Sequence, residues 1–316
     1  MRWSYSSARA FRQCQRKWYY GYVIAPKGRS KDEHRLRAKR LKSLSTLSAW
    51  RGQVVDTVIS KHIIPALDSD DRITLGDAKR HARSLFDKQR EFAEGLRSED
   101  LTLVKSHHGD TFLLLSEHAY GHNVSQSDYD QAWEDIVTAL TNLYRLDNLR
   151  AEVALGWSFH PQPPLHFDIL GNLKGSAFPD LIVYTGKDPI QIIDWKVHID
   201  GSNDARDQLA SYAIALSRLE KPNYDFPTEN WQAPPSKIIL KEVQLLLGNV
   251  REHILTDEDL EDAEVFMMES AYAMSQVLEG KGYEDFDIDL LETTSNPETC
   301  ATCAFRMICW EGNCSA

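Results

Sequence analysis

The chain has 316 residues, of which 42% are hydrophobic, enough for a sizeable core in one large domain or two small ones. It contains no run of about 18 apolar residues, and Met1-Arg2-Trp3-Ser4 does not begin a signal peptide, which predicts a soluble, cytoplasmic protein without a membrane partner. The formal net charge of −11 is unevenly distributed, because residues 1–51 carry +12 and the other 265 residues carry −23. This segregation predicts one basic face that meets an anion.

The first predicted element is a short amphipathic helix over residues 5–22, which the serine pair Ser6-Ser7 can cap. Its apolar positions recur at helical spacing and include Ala8, Phe11, Cys14, Trp18 and Tyr19. Cys14 lies on or near the apolar side, where a cysteine is either a small buried hydrophobic residue or a ligand.

A strongly basic stretch over residues 27–42 follows and leads into a helical pattern over residues 44–64. Its composition suits contact with phosphates more than the reading of bases. The candidate DNA-binding residues are Arg35, Arg37, Lys39, Arg40 and Lys42. The alternative is a charge-rich helix that is merely solvated.

Residues 66–150 predict a helical insertion that covers the core and could clamp a bound strand. Helical patterns span residues 75–96 and 127–149, and the second has one apolar stripe. The histidines of this region follow no Cys/His spacing rule, so they predict surface residues rather than a zinc site.

From Ala151 the hydrophobic pattern changes to that of strands. The predicted strands are residues 152–159, 165–173, 178–184, 190–197 and 237–247. A helix over residues 204–219 lies between the last two strands and places Gln208 and Tyr212 on one face. After a proline-rich loop and a last hairpin, Thr256 and Asp259 predict the N-cap of a helix that ends at Glu279.

Two of these strands form a predicted hairpin with an unusual set of polar residues. Asp180 lies in the first strand, and Asp194 and Lys196 share one face of the second, while Trp195 points the other way. Burying two carboxylates and a lysine is costly, and a hard divalent cation held by Asp180 and Asp194 would offset that cost. The alternative is a structural ion pair.

The last 17 residues contain four of the five cysteines, and Cys300, Cys303 and Cys309 form a C-x2-C-x5-C pattern. This spacing is typical of metal ligands more than of a disulfide framework. Thiolates suit zinc or an iron-sulfur cluster, and either site needs four of them. The fourth ligand is either Cys14 or the nearby Cys314.

Asp180 followed by Asp194-Trp195-Lys196 resembles the signature of the PD-(D/E)XK nucleases, and Pro179-Asp180 supplies the literal PD. The resemblance implies an α/β, restriction-endonuclease-like core with a central mixed sheet flanked by helices. It also implies hydrolysis of DNA phosphodiester bonds with Mg²⁺ or Mn²⁺ held by Asp180, Asp194 and the backbone carbonyl of Trp195. Lys196 would orient or help to deprotonate the attacking water.

The order of the other motifs resembles the RecB/AddB-like branch of these nucleases. In that branch a glycine is commonly followed four residues later by a histidine of the metal shell. Here Gly52 is followed by Asp56, which we expect to be a ligand instead, the alternative being an aspartate of an N-terminal turn or of the surface. Glu152 aligns with an acidic position near the metal, the alternative being a surface residue. Gln208-x-x-x-Tyr212 matches a motif that supports the catalytic lysine and the DNA strand.

The same branch implies that Cys14, Cys300, Cys303 and Cys309 hold a [4Fe-4S] cluster that joins the two ends of the chain. Closing a loop of this length suggests a stabilisation of at most about 5 kcal/mol. The alternative is a local zinc knuckle built from the four C-terminal cysteines, including Cys314.

These motifs suggest four segments within one integrated domain: a cysteine helix (1–25), a basic and helical region (26–150), a nuclease core (151–289) and a cysteine module (290–316). The predicted activity is exonuclease-like cleavage of single-stranded or end-containing duplex DNA, in DNA repair or anti-phage defence. The sequence contains no GxxxxGK[ST] loop, so a helicase would be a separate ATP-driven partner. The alternative is a binding or scaffolding subunit with weak or no activity, for which the changed position at Asp56 would be the sign.

Overall fold

The computed structural model describes residues 2–25, 30–69, 71–96, 105–186, 189–198, 204–219, 231–279, 281, 283 and 286–309. The strands are β1 (Arg2–Trp3), β2 (Leu44–Ser45), β3 (Leu114–Leu115), β4 (Ser158–Pro161), β5 (Leu165–Leu170), β6 (Leu173–Ala177), β7 (Leu181–Tyr184), β8 (Gln191–Lys196), β9 (Ile239–Gln244) and β10 (Asn249–His253). The helices are α1 (Tyr5–Gln13), α2 (Gln15–Trp18), α3 (Glu33–Lys42), α4 (Leu47–Val58), α5 (Ile64–Asp68), α6 (Leu75–Gly95), α7 (Lys105–His108), α8 (Ser116–Ala119), α9 (Gln126–Arg145), α10 (Asp147–Ala154), α11 (Asp204–Ser217), α12 (Asp257–Leu278), α13 (Pro297–Ala301) and α14 (Arg306–Cys309). Two π-helical segments, Tyr19–Ile24 and Ile59–Ile63, extend α2 and α4.

The main sheet has five strands in the order β10-β9-β8-β7-β4. The hairpin of β7 and β8 is antiparallel, whereas β8 and β9 run parallel, so the sheet is mixed, as the sequence predicts. The parallel register pairs Asp194 with Glu242 and Lys196 with Gln244. Paired residues point to the same face of a sheet, so β9 adds polar side chains beside those of β8.

This sheet separates two hydrophobic cores because successive side chains of β7 and β8 alternate between its faces. Ile182 and Ile192 belong to the core that α1, α11 and α12 complete. Leu181, Val183 and Ile193 belong to the core of α4, α6 and α9. The second core confirms that the helical region packs on the sheet, as the apolar stripe of residues 127–149 predicts.

A second sheet ties the start of the chain to its middle. Its order is β1-β6-β5, with β1 parallel to β6. The buried Trp3 donates a hydrogen bond from Nε1 to Ser270 Oγ of α12 at 2.8 Å. The N-terminal segment is therefore part of the core rather than an appendage.

Three predicted elements differ from the structure. The strand predicted over residues 152–159 is wrong, because Leu149 and Val153 bury one side of α10 and the strand begins only at Ser158. Gly156 lies at this change of direction, where the backbone approaches Val183 too closely for a side chain. A Cβ at this position would lie 2.6 Å from Val183 Cγ1. The strand predicted over residues 165–173 is a hairpin that turns at Gly171, whose φ of 56° favours glycine.

The first helix is interrupted where one continuous helix is predicted. Cys14 has an extended conformation between α1 and α2. At the other end of the chain, the predicted N-cap of α12 is confirmed by a reciprocal capping box between Thr256 and Asp259. Within the described part of the chain, no helix is both long and apolar enough to cross a bilayer.

Candidate functional site

Asp180 and Asp194 lie side by side at the open end of the β7–β8 hairpin. The antiparallel register pairs Leu181 with Ile193, and its extension by one residue places Asp180 opposite Asp194. Asp180 Oδ2 accepts a hydrogen bond from the backbone N–H of Trp195 at 2.8 Å. The local strand geometry thus brings the two predicted carboxylates together.

Lys196 links these acids to α11. Its Nζ lies 2.5 Å from Asp194 Oδ2 and donates a hydrogen bond to Gln208 Oε1 at 3.0 Å. Gln208 Nε2 donates in turn to the hydroxyl of Tyr212 at 2.6 Å. Four residues predicted from the sequence therefore form one connected polar chain, in which Gln208 fixes the lysine and Tyr212 fixes Gln208.

Asp56 reaches the same site from α4 through Gln162, a residue that the sequence motifs do not predict. Gln162 donates from its side chain to Asp56 Oδ2 and from its backbone N–H to the carbonyl of Asp180 at 2.9 Å. Gln162 has a φ of 50°, a left-handed conformation that costs energy for a residue with a side chain. The sequence gives no local signal of the contact with Asp56, because Gln162 and Asp56 are 106 positions apart.

Burial raises the pKa of three carboxyls at this site, and neighbouring acids add to the shift. Burial raises the pKa of Asp56 to about 6, and the charge of Asp194 adds to that shift. Burial, Asp194 and Asp56 raise the pKa of Asp180 well above its ordinary value. Burial also raises the pKa of Asp194, against the nearby Lys196. One lysine therefore leaves the acidic group short of positive charge.

A divalent cation fits this deficit by charge and by ligand type. Asp56 Oδ1 is buried and finds no hydrogen-bond partner among the described residues. Carboxylate oxygens are the ligands that Mg²⁺ and Mn²⁺ prefer. Across the described residues, however, no three His, Cys, Asp or Glu side chains already converge as a metal site. The donor set suits the ion, and binding would require the side chains to adjust.

Glu242 is a further buried acid near this site, and the sequence motifs do not predict it. It is 2% exposed, it accepts a hydrogen bond from Gln244 Nε2 at 3.0 Å, and its Oε2 lies 3.1 Å from His253 Nε2. Its charge helps to raise the pKa of Asp194. The sequence signal that could have identified Glu242 is its position inside a largely apolar strand, where a charged residue needs a specific partner.

Glu152 lies on the other side of the sheet. Its carboxylate pairs with Lys241, which stands beside Ile193 in the register and so faces away from Asp194. We therefore leave Glu152 out of the proposed ligand set. The side chain of Trp195 also points away from the acids and lines an apolar cavity of about 510 Å³.

The basic side chains of helix α3 lie in different environments. Arg35 donates to the carbonyl of Ile24 at 3.1 Å and covers the ring of Tyr283 at 4.4 Å, contacts that hold the N-terminal segment. Lys42 lies 4.4 Å from the ring centre of Tyr22. Arg40 lines an open cleft of about 990 Å³ against the helical region, and Arg37 and Lys39 are half-buried.

Four cysteines line one cavity of about 140 Å³, although two parts of the chain supply them. They are Cys14 from the break between α1 and α2, and Cys300, Cys303 and Cys309. Cys303 Sγ accepts a hydrogen bond from the backbone N–H of Phe305 at 3.4 Å. Burial raises the pKa of the Cys303 and Cys309 thiols. Cys314, the alternative fourth ligand, lies outside the described residues.

The raised pKa of Asp56 predicts a loss of stability with pH. Its carboxyl has an ordinary pKa of 3.8 and a pKa of about 6 in the folded protein. The folded state therefore binds this proton more tightly than the unfolded state does, and protonation of Asp56 stabilises the fold. That contribution is present at acid pH and is lost as the pH rises through about 6, by on the order of 1–3 kcal/mol. In metal-free buffer, the free energy of unfolding from urea titrations should fall less between about pH 5 and pH 7.5 for Asp56→Asn than for the wild type. Equal decreases in both proteins would contradict the burial of a charged Asp56.

Comparisons with known proteins identify the family of the chain. The family model of the PD-(D/E)XK nuclease superfamily matches residues 2–310. No curated protein sequence matches significantly. The solved structure of the protein SSO0001 is similar at 13% identity and a TM-score of 0.30, over 73% of this chain and 97% of that one. The superfamily that the sequence predicts is thereby confirmed over nearly the whole chain. The chain belongs to the PD-(D/E)XK nuclease superfamily.

Proposed function

We propose that the protein is a metal-dependent deoxyribonuclease whose active site is built on Asp180, Asp194 and Lys196. The observation that supports this most directly is the connected chain from Asp194 through Lys196 and Gln208 to Tyr212. A structural ion pair would need only the first two of these residues. A lysine held by a glutamine that is itself held by a tyrosine is a positioned group.

Asp56, Asp180 and Asp194, with the backbone carbonyl of Trp195, would hold Mg²⁺ or Mn²⁺. When bound, the ion would polarise the scissile phosphate and lower the pKa of an attacking water. Lys196 would place its ammonium group against the phosphate oxygens and orient that water. Gln208 keeps Lys196 in place, and Gln162 holds Asp56 against the loop of Asp180.

The substrate and the setting follow from the resemblance to RecB/AddB-like nucleases. We propose DNA, as a single strand or as a duplex with an end, exonuclease-like cleavage, and action beside a helicase or another ATP-driven protein in DNA repair or anti-phage defence. An inactive scaffolding subunit is the alternative. The complete set of Asp180, Asp194 and Lys196 disfavours it, because a scaffold gains nothing from burying these charges together.

We further propose that Cys14, Cys300, Cys303 and Cys309 hold a [4Fe-4S] cluster with a structural role. The support is that all four line one cavity and that burial raises the thiol pKa of Cys303 and Cys309, whose thiolates a metal centre would stabilise. A zinc ion would need the four sulfurs within about 2.3 Å of one point. The alternative is such a zinc site, and the metal content and visible absorbance of the purified protein distinguish it from a cluster.

Substitution of the acid or the lysine should separate cleavage from binding. Asp194→Ala or Lys196→Ala should lower the rate of Mg²⁺- or Mn²⁺-dependent cleavage of labelled single- and double-stranded DNA by a factor of about 100 or more, since each residue acts on the reacting phosphate. DNA affinity should change little, and the exposed Arg80→Gln serves as a control for purification. Cleavage at the wild-type rate in either variant would refute the proposed active site.

The cysteine assignment predicts that two distant positions behave alike. Cys14→Ala should lose iron and visible absorbance as completely as Cys303→Ala, whereas Cys314→Ala should keep both. Because a cluster in this cavity would cross-link the two ends of the chain, the Cys14→Ala variant should also have a lower melting temperature. Colourless protein with one zinc, for which Cys314 is essential and Cys14 dispensable, would instead establish the local knuckle.

Helix α3 should contribute to the salt dependence of DNA binding. Changing Arg37, Lys39 and Arg40 to glutamine should weaken affinity and lower the slope of log K against log salt by about 0.7–0.9 for each phosphate that α3 no longer neutralises. Arg35 is left intact because it supports the fold. The matched control is Arg72→Gln, Arg80→Gln and Lys88→Gln, and equal slopes in the two triple variants would show that α3 is only solvated.

A further inference from the structure

A second open groove borders the N-terminal helix, apart from the cleft that Arg40 lines. Its volume is about 940 Å³, and α1, the first π-helical segment, α11 and α12 each contribute to its wall. The π-helical segment matters here because its extra residue per turn changes the direction of the side chains, and such segments are frequent at functional sites. Tyr22 of this segment lines the groove.

The lining of this groove is basic although the protein as a whole is acidic. Its charged residues are Arg9, Arg12, Lys17, Lys42 and Asp207, four cations and one anion. The formal net charge of the chain is −11. A cluster of cations on such a body selects for an anionic ligand, because the rest of the surface repels it.

Aromatic rings lie among these cations. The guanidinium group of Arg12 lies 5.3 Å from the ring centre of Phe266, and Lys42 lies over Tyr22. Cations alternating with rings are typical of surfaces that bind single-stranded nucleic acid, in which phosphates meet the charges and unpaired bases stack on the rings. A duplex keeps its bases stacked inside and would use only the charges.

The groove and the candidate active site share helix α11. Asp207 of its wall precedes Gln208, which holds the catalytic lysine. Tyr5 of its wall lies near Tyr212, which accepts a hydrogen bond from Gln208. A strand bound in the groove would therefore reach α11 at the end that faces Asp194.

We propose that this groove binds one strand of nucleic acid, with phosphates on Arg9 and Arg12 and a base on Tyr22, and directs it to the acids. The proposal rests on the proposed function and adds to it the path and the single-stranded state of the substrate. It differs from phosphate contact by the centre of α3, since Arg9 and Arg12 belong to α1. Both arginines are exposed, so they can be replaced without opening the core.

The test measures binding without cleavage. Fluorescence anisotropy with a labelled oligo-dT of about 15 nucleotides, in chelator, compares the wild type with Arg9→Gln/Arg12→Gln and with the charge-matched Arg80→Gln/Lys88→Gln. We expect the groove variant to bind about ten- to a hundredfold more weakly at about 50 mM salt and its salt slope to fall by about 1.4, or about 0.7 for each phosphate. The control should behave as the wild type.

Tyr22 tests the contact with a base. Tyr22→Leu, which removes the ring, should weaken oligo-dT binding by a factor of about 5 to 100, whereas Tyr22→Phe, which keeps it, should bind as the wild type does. Binding of a blunt duplex of the same length, and of polyglutamate, should not respond to Tyr22→Leu. Circular dichroism and the melting temperature verify that each variant folds.

The outcomes separate this proposal from the proposed function. If the wild type cleaves DNA but the Arg9/Arg12 variant binds oligo-dT like its control, the groove is refuted and the nuclease assignment stands. If oligo-dT binding depends on Arg9, Arg12 and Tyr22 while no metal supports cleavage, the groove stands and the proposed activity fails. If Arg9 and Arg12 matter equally for polyglutamate and Tyr22 matters for neither ligand, the groove is a general anion surface and the proposal is overturned.

Discussion

The burial of Asp194 beside Asp180 and Asp56, with Lys196 as the cation that contacts Asp194, is the central constraint of this structure. Each carboxyl has a raised pKa, first because it is buried and then because of a nearby acid, which is Asp194 for Asp56 and Asp180 and is Glu242 for Asp194. Such a group destabilises a fold unless other contacts hold it. Here the contacts are specific: Trp195 N–H to Asp180, Gln162 to Asp56 and Gln208 to Lys196. In the proposed function, a divalent cation bound beside these carboxylates would offset that unfavourable free energy.

The site lies where the two hydrophobic cores meet. Helix α4 packs in one core and provides Asp56, while α11 packs in the other and provides Gln208 and Tyr212. The hairpin of β7 and β8 lies between them and contributes the two central acids. The geometry of the site therefore depends on both cores being packed correctly, since neither side alone holds all the polar contacts.

The ends of the chain meet through ordinary contacts as well as through the cysteines. Tyr20 donates to the carbonyl of Ile308 at 3.2 Å, and Arg16 pairs with Asp289 at 2.8 Å. Lys17 and Phe305 line both the cysteine cavity and the basic groove. A cluster in that cavity would thus stabilise one wall of the groove, which gives a structural cofactor an effect on binding without any part in the chemistry.

The sequence by itself determined the superfamily and most of the site, because strand alternation and helical spacing place Asp194 with Lys196 and Gln208 with Tyr212 on shared faces. It also predicted that Cys14 lies near the C-terminal cysteines, although only through a resemblance to a known family. The local pattern failed where backbone direction depends on packing. Residues 152–154 extend the predicted strand by composition, yet they form the last turn of α10, which packs through the buried Leu149 and Val153. Only the tertiary structure decided that Gln162 joins Asp56 to Asp180 and that Glu242 stands beside Asp194, since these contacts depend on which strands and helices pack together rather than on the spacing of neighbours along the chain.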